Sequence, residues 1–278
     1  DIAVHSMKDV PTQLAKGIVQ AAVLKRGSYK DIFVPHPDLY HRKTKRSLVS
    51  VSFQTFSIGS KNFEKLSETD SKVDLRIPLR EHPDKAGEFE DIIVATSSVR
   101  RIAQWLHRFP NHKIENLRGN VNTRLQKLKN SNWHGAIFAA AGLERIHLRP
   151  ENSVELDWML PAPAQGAIMV VCKEDDDYAK QSCALLNDEA TATCTKAERD
   201  YLKTLMGGCS TPISALAEIK NDMLHFKGNI FSTDGKRKAD IAIQFELTKA
   251  ANAGVHAANE VLKNGGKEIM EEIKSAAK

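Results

Sequence analysis

From Asp91 onward the chain repeats one short unit: an apolar run, a polar turn, then a helix with apolar residues along one face. Ile92-Ile93-Val94-Ala95 ends at Thr96-Ser97-Ser98, after which Val99, Ile102, Leu106 and Phe109 recur at helical spacing and Pro110 closes the helix. A second unit follows as a strand over 113–117, the loop Arg118-Gly119-Asn120 and a helix through Val121, Leu125 and Leu128. A strand over 135–140 then leads into Ala141-Gly142-Leu143 and a further helix. Strand alternating with helix leaves few folds open, because parallel strands need a crossover to bring the chain back along the sheet. The pattern predicts a parallel, doubly wound α/β layer.

Ahead of this layer, residues 1–4 read as a buried strand, residues 5–9 as a polar loop and residues 18–24 as a second strand. The chain opens on that first strand without an initiator Met, signal peptide or leader, so sequence in front of it is expected to be missing. From Pro35 to Glu90 the pattern degrades into a basic run at 41–46, a polar stretch at 67–71 and prolines at 35, 37, 78 and 83. It reads as a long insertion with one strand over 48–53. The Pro-rich segment from Leu160 to Ala167 precedes an apolar strand over 168–172. From Asp188 the grammar changes. A helix runs to about Met206, and strands follow at 213–219, 224–231 and 239–247, joined by Asn221-Asp222 and Asp234-Gly235 turns. Two short helices split by Asn264-Gly265-Gly266 close what reads as a small α+β domain.

Composition narrows the function classes. The 278 residues are 41% hydrophobic and 27% charged, which excludes a collagen-like, wholly disordered or disulfide-scaffold chain. No apolar run reaches the ~18 residues of a membrane span. Lys and Arg number 40 against 35 Asp and Glu, and a net charge of +5 is no nucleic-acid signature but permits an acidic ligand. Cys172, Cys183, Cys194 and Cys209 show neither CxxC spacing nor clustered histidines. No metal site or disulfide framework is expected, and a reducing cytosol is the default.

The informative feature is where the arginines sit. Arg100 and Arg101 fall in the first turn of one helix, Arg118 precedes the next, and Arg124 lies early within it. Cations at a helix N-terminus are unfavourable without an anion, and such turns at the carboxyl edge of a parallel sheet are where these folds bind ligands. Between Thr96 and Arg124 the only acid is Glu115, so local pairing is scarce. The residues favour an anion site over a set of surface ion pairs. Lys8-Asp9 follows a strand in the same manner, as a proton-transfer site or, more commonly, an ordinary turn before Pro11. His5 reads as a structural hydrogen-bonder. Cys209, in Gly207-Gly208-Cys209-Ser210 past a helix end, suits a one-time covalent anchor better than a cycling nucleophile, and the residues alone leave its role open. Gln165-Gly166 is either a ligand-lining crossover or a hinge, and its prolines favour the hinge. The basic run at 41–46 reads as a solvated loop.

Six segments taken together resemble one family. Residues 1–12, Asp-Ile-Ala-Val-His-Ser-Met-Lys-Asp-Val-Pro-Thr, are similar to the signature of hydroxymethylbilane synthase, also called porphobilinogen deaminase. Thr96-Ser97-Ser98-Val99-Arg100-Arg101, the segment from Leu117 to Leu125, and Ala140-Ala141-Gly142-Leu143 resemble its further motifs, in order. Gln165-Gly166-Ala167 and Gly207-Gly208-Cys209-Ser210-Thr211-Pro212 complete the set.

The resemblance implies an enzyme that condenses four porphobilinogen molecules head to tail into hydroxymethylbilane, releasing ammonia each time. It implies a dipyrromethane cofactor held by a thioether to Cys209, and Asp9 as the catalytic carboxylate that stabilises the cationic azafulvene and handles pyrrole N–H protons. Ser6, Lys8, Asp9, Thr96, Ser97, Ser98, Arg100, Arg101, Gly119 and Arg124 fall on cofactor-binding positions, and Arg118, Arg124, Ala141, Gln165 and Gly166 on substrate-binding ones. The implied fold is α/β, with two periplasmic-binding-protein-like domains and a small α+β C-terminal domain. The first domain would take 1–33 and 165–184, an insertion 34–90, the second domain 91–164, and the third 188–278. A cytoplasmic or organellar monomer without membrane or nucleic-acid partners is expected. The insertion is longer than the family's usual connection, and Ala162-Pro163-Ala164-Gln165-Gly166 replaces its commoner Val-Gly-Gln-Gly form. The alternative is a non-catalytic two-lobed anion-binding module, which would have no use for a modified Cys209. A nucleic-acid binder would interleave aromatics with its cations, whereas Trp105 and Phe109 read as helix-face residues.

Overall fold

The computed structural model describes residues 1–38, 92–205 and 211–276, so Cys209, the end of the helix near Met206, the expected strand at 48–53 and the basic run at 41–46 lie outside the described residues. Three sheets organise what is described.

The first sheet has the order β1-β8-β2, with β1 at Ile2–Ser6, β8 at Ile168–Lys173 and β2 at Ile18–Val23, all antiparallel. Val23, Met169 and Val171 pack on one face with Met7, Ala164 and Ala167. On the other face Ala22 and Val170 lie under Cys183 of α4, Asp177–Ala184. Of the strand expected to be buried at the start of the chain, Ile2 and Val4 are 56% and 58% exposed; among the described residues it pairs with β8 alone.

The second sheet runs β5-β4-β6-β3-β7: Lys113–Glu115, Ile93–Ala95, Gly135–Ala139, Asp31–Pro35 and Val154–Glu155. Strands β5, β4 and β6 are parallel, as the repeat predicts, but β3 runs antiparallel to both its neighbours, β6 and β7, so the layer is mixed rather than wholly parallel. Residues 31–35 are expected in the first domain and the insertion, yet they form a strand between β6 and β7. Both faces are covered, as in a doubly wound layer. Alternate residues send Ile32, Val34, Ala136 and Phe138 toward α2 (Val121–Lys129), and Phe33, Val94 and Ile137 toward Trp105 of α1 (Val99–Arg108). A short helix α3, Ala140–Glu144, follows β6.

The third sheet is the antiparallel meander β9-β10-β11 at Ile213–Lys220, Met223–Phe231 and Lys238–Glu246. Helix α5, Glu189–Thr204, begins at Asp188, whose side chain accepts from Thr191 N. It lays Cys194, Ala197, Tyr201 and the following Leu205 on the sheet beside α6, Ala253–Val261. The two helices touch at Gly254, where a Cβ would stand 1.9 Å from the Ala197 carbonyl oxygen. The last helix, α7, covers Lys267–Ala276 after a kink at Asn264-Gly265. The sheet's other face meets α1, where Gln104 Nε2 donates to Ser214 Oγ at 3.0 Å and His107 Nδ1 lies 2.8 Å from the Gly235 carbonyl.

Candidate active site

Two chain crossings join the first two units, and the candidate site surrounds them. The outgoing crossing is Gly27–Lys30 and the return is Ala164-Gln165-Gly166. Gly27 N donates to Gly166 O at 3.1 Å, and Gln165 Nε2 donates to Tyr29 O at 2.8 Å. Gly166 has φ +88, and a Cβ there would meet the Ser28 carbonyl oxygen at 2.6 Å, so only glycine fits. Ala164 holds φ +61 with a side chain present, which costs about 1–2 kcal/mol relative to a right-handed conformation. That conformation is held from outside. Ala164 N donates to Glu198 Oε2 of α5 at 2.6 Å.

Glu198 is fully buried, and both its oxygens are saturated. Arg26 Nη1 and Nη2 donate to Oε1 and Oε2 at 2.6 and 3.0 Å, and Ala217 N donates to Oε1 at 2.8 Å. Arg26 Nε donates to Gln165 O at 2.9 Å, which returns the network to the hinge. A charge-assisted fork of this kind fixes geometry as well as charge.

Arg100 and Arg101 are buried rather than lying at the surface, and they do have an acid. Asp31, at the start of β3 and wholly buried, is 2.8 Å from Arg100 Nη1 and 2.8 Å from Arg101 Nη2. Arg101 Nε also donates to Asp31 Oδ1 at 3.0 Å, and Gln165 Nε2 to the same oxygen at 3.1 Å. Arg101 Nη1 donates to Ile137 O at 3.0 Å, and Arg100 Nη1 to Leu160 O at 2.6 Å. The scarcity of acids between Thr96 and Arg124 is real, but the partner comes from a strand 70 residues earlier. Burial pushes the Asp31 carboxyl up; the Arg100 and Arg101 guanidiniums overcome this and hold it below the usual carboxylate range. One carboxylate between two guanidiniums leaves a net positive charge.

Lys8 and Asp9 sit in a 3-10 turn, Met7–Asp9, directly after β1. Met7 is buried and its N–H donates to Ala167 O at 3.0 Å, which sets the turn against the return crossing. Lys8 is half-buried, its pKa lowered first by burial and then by the Arg101 guanidinium, with Asp9 acting in the opposite direction. The first unit's turn and the buried arginine pair of the second both abut the return crossing, through Met7 N on Ala167 O and Gln165 Nε2 on Asp31 Oδ1. Ser6 is half-buried at the end of β1 and Asp9 is exposed.

The strand-to-helix turns complete the wall. Thr96 is buried with its N–H on Glu115 O at 2.8 Å, Ser97 Oγ donates to Asn116 Oδ1, and Ser98 is half-buried beside them. Asn120 caps α2 through Thr123 N at 2.9 Å. Arg124 Nε donates to Gly119 O at 2.7 Å, and its charge is felt by Arg101. Arg118 is exposed, and among the described residues its guanidinium meets no acid. Ala141 is buried at the start of α3, and Gln165 and Gly166 lie on the return crossing, bonded to the outgoing one. Sequence reasoning missed Asp31, Arg26, Glu198 and Arg199. One signal was present: Glu198 falls on the apolar stripe of Cys194, Ala197, Tyr201 and Leu205, and a charge on a core-facing stripe marks a buried partner.

Chemically, the wall offers fixed cations, hydroxyls and a free carboxylate to a ligand bearing several carboxylates. Two family models match the chain. Residues 1–181 match the family model described as porphobilinogen deaminase, dipyromethane cofactor binding domain, and residues 192–263 match that of the porphobilinogen deaminase C-terminal domain. A porphobilinogen deaminase of Chlorobium phaeobacteroides is 33% identical over 284 residues, covering 99% of this chain and 75% of the relative. The enzyme of Thermus thermophilus is 34% identical over 277 residues, covering 99% and 77%, and that of Listeria innocua 34% over 282 residues, covering 99% and 76%.

Proposed function

The chain belongs to the porphobilinogen deaminase family, and from that premise we propose that the cleft around its hinge holds the cofactor and the growing chain. The protein is a transferase, a hydroxymethylbilane synthase of porphyrin biosynthesis that uses a dipyrromethane cofactor. When bound, that group supplies the primer to which porphobilinogen units are joined.

The observation that carries the site assignment is the charge balance of the cleft. Lys8, Arg118 and Arg124 have no carboxylate partner among the described residues, and Arg100 and Arg101 share one. The acetate and propionate groups of pyrrole rings are the anions such a set accepts. In this reading Ser6, Lys8, Thr96, Ser97, Ser98, Arg100, Arg101, Gly119 and Arg124 hold the cofactor. Arg118, Arg124, Ala141, Gln165 and Gly166 border the incoming substrate. Arg101 and Arg100 act as a fixed field rather than as mobile ligands, because their guanidinium nitrogens are already engaged with Asp31, Ile137 O and Leu160 O.

In this reading Asp9 is the carboxylate that works on the reacting ring. Its negative charge stabilises the positive charge that develops on the substrate pyrrole as ammonia leaves, and it accepts and returns a proton at the ring N–H. Cys209 carries the thioether. In this reading the enzyme is a monomer of the reducing cytoplasm, where the free buried Cys172, Cys183 and Cys194 stay as thiols.

Intact mass of the purified protein tests the reading. The wild type is expected to carry a two-pyrrole adduct that is absent from Cys209→Ser, together with loss of bilane production from porphobilinogen. An adduct that persists in Cys209→Ser would refute the attachment site.

A further inference from the structure

Helix α5 carries adjacent charged residues with separate destinations. Glu198 holds the hinge, while Arg199 reaches out of the third unit to the turn that follows β1. Arg199 Nη1 donates to Met7 O at 3.1 Å and Val10 O at 3.0 Å, and Nη2 donates to Pro11 O at 2.6 Å. These three carbonyls flank Lys8 and Asp9 on both sides. Arg199 forms no ion pair among the described residues. Its neighbour Asp200 is 2.5 Å from Lys196 instead. A planar guanidinium bound to three neutral carbonyls is a shape-fixing device, since its donors leave at set angles and a lysine ammonium cannot reproduce the fork.

Among the described residues no hydrogen bond or ion pair holds the Asp9 carboxylate, and Asp9 is exposed. Its position is therefore the position of its backbone. Within the turn Val10 N donates to Met7 O at 3.2 Å, and Met7 N donates to Ala167 O at 3.0 Å. Arg199 supplies the remaining ties, from a helix whose next residues in sequence lead to Gly207-Gly208-Cys209.

We propose that Arg199 is a positioning residue for the deaminating condensation: it holds the turn at 7–11 so that the Asp9 carboxylate keeps its place relative to the helix that precedes the cofactor cysteine. The proposal rests on the reading of Asp9 as the working carboxylate, and a double-mutant cycle separates the two. In the holoenzyme, Arg199→Gln is expected to lower kcat about 10- to 100-fold, the scale of a displacement near 1 Å. KM should stay within about twofold, because substrate binding is left to other residues. Intact mass should show the adduct unchanged. Arg199→Lys, which keeps the charge, should fold with a melting curve like that of the wild type and still lose most of kcat.

Asp9→Glu retains a carboxylate at a shifted position and serves as the second arm. If Arg199 acts through Asp9, the double variant Arg199→Gln/Asp9→Glu loses little more than the worse single variant. Losses that multiply, a raised KM with kcat preserved, or full activity in Arg199→Lys would each overturn the proposal. An Asp9→Glu enzyme with wild-type kcat would instead remove Asp9 from its role and leave the Arg199 data to show a purely structural contact.

Discussion

Replacing Glu198 by Gln removes one charge and almost no volume from the point where three units meet. The side chain is wholly buried, its partner Arg26 is 11% exposed, and four N–H groups converge on its two oxygens at 2.6, 3.0, 2.6 and 2.8 Å. The glutamine amide offers one oxygen and one NH2 group where the glutamate offers two acceptors, so at least one of Ala164 N, Ala217 N and the Arg26 fork loses its acceptor. Arg26 is meanwhile left as a buried cation without its anion. Breaking one side of such a pair costs about 3–5 kcal/mol. For a protein of this size that corresponds to a fall in Tm on the order of 10 °C. Thermal and urea unfolding followed by circular dichroism would measure it, with both probes needed because several units need not unfold together. The double variant Arg26→Met/Glu198→Gln removes both charges. It is expected to regain part of the loss but to remain ~1–3 kcal/mol below wild type, the cost of the backbone N–H that faces the new NH2. A Glu198→Gln protein within about 1 kcal/mol of wild type would refute the reasoning, since that is the range of exposed ion pairs rather than buried ones.

Two further outcomes follow from buried titrating groups. Asp31 has a lowered pKa in the folded protein, so it binds its proton more weakly there than in the unfolded chain; its stabilising contribution is present above the ordinary carboxylate range and is lost as pH falls through the lowered folded value. Asp31→Asn should therefore be less stable near neutrality and show a flatter acid limb in urea titrations from pH 7 downward, and an unchanged limb would exclude Asp31 as a contributor. Burial, followed by the charge of Glu198, raises the Cys194 thiol to about 11, so the native state holds that proton more tightly and loses stability as pH rises from about 9 toward 11. Iodoacetamide at pH 8 should leave Cys194 unmodified in the native protein and label it after urea unfolding, as read by peptide mass. Rapid native labelling would contradict its burial.

The fold was legible where local pattern and tertiary environment agree. The strands and helices between Ile92 and Glu144 repeat at fixed spacing, and the meander after Thr211 announces itself by turn chemistry, because in both regions neighbours in sequence are neighbours in space. β3 escaped for the opposite reason. Its strand pairs with β6, more than a hundred residues later in the chain, and the prolines beside it read as linker. β1 reads as buried from its apolar residues, yet among the described residues it pairs with β8 alone, because an apolar strand carries no mark of which neighbours cover it.

The site divides along the same line. The arginines stand on turns whose sequence marks them, since a cation at a helix N-terminus asks for an anion, whereas Lys8 and Asp9 read as an ordinary turn until the family resemblance singles them out. The sequence offered Glu115 as the only local acid, and the answer came instead from Asp31, a residue with nothing unusual about it until β3 places it beneath α1. What remained hidden are therefore the residues that hold others in place. Asp31 fixes Arg100 and Arg101, Glu198 fixes the left-handed Ala164, and Arg199 fixes the turn of Asp9; each does so across a gap that only the folded chain closes. Glu198 is the partial exception, since a glutamate on the apolar stripe of α5 has to be paired in the folded chain, though its spacing cannot say with which residue.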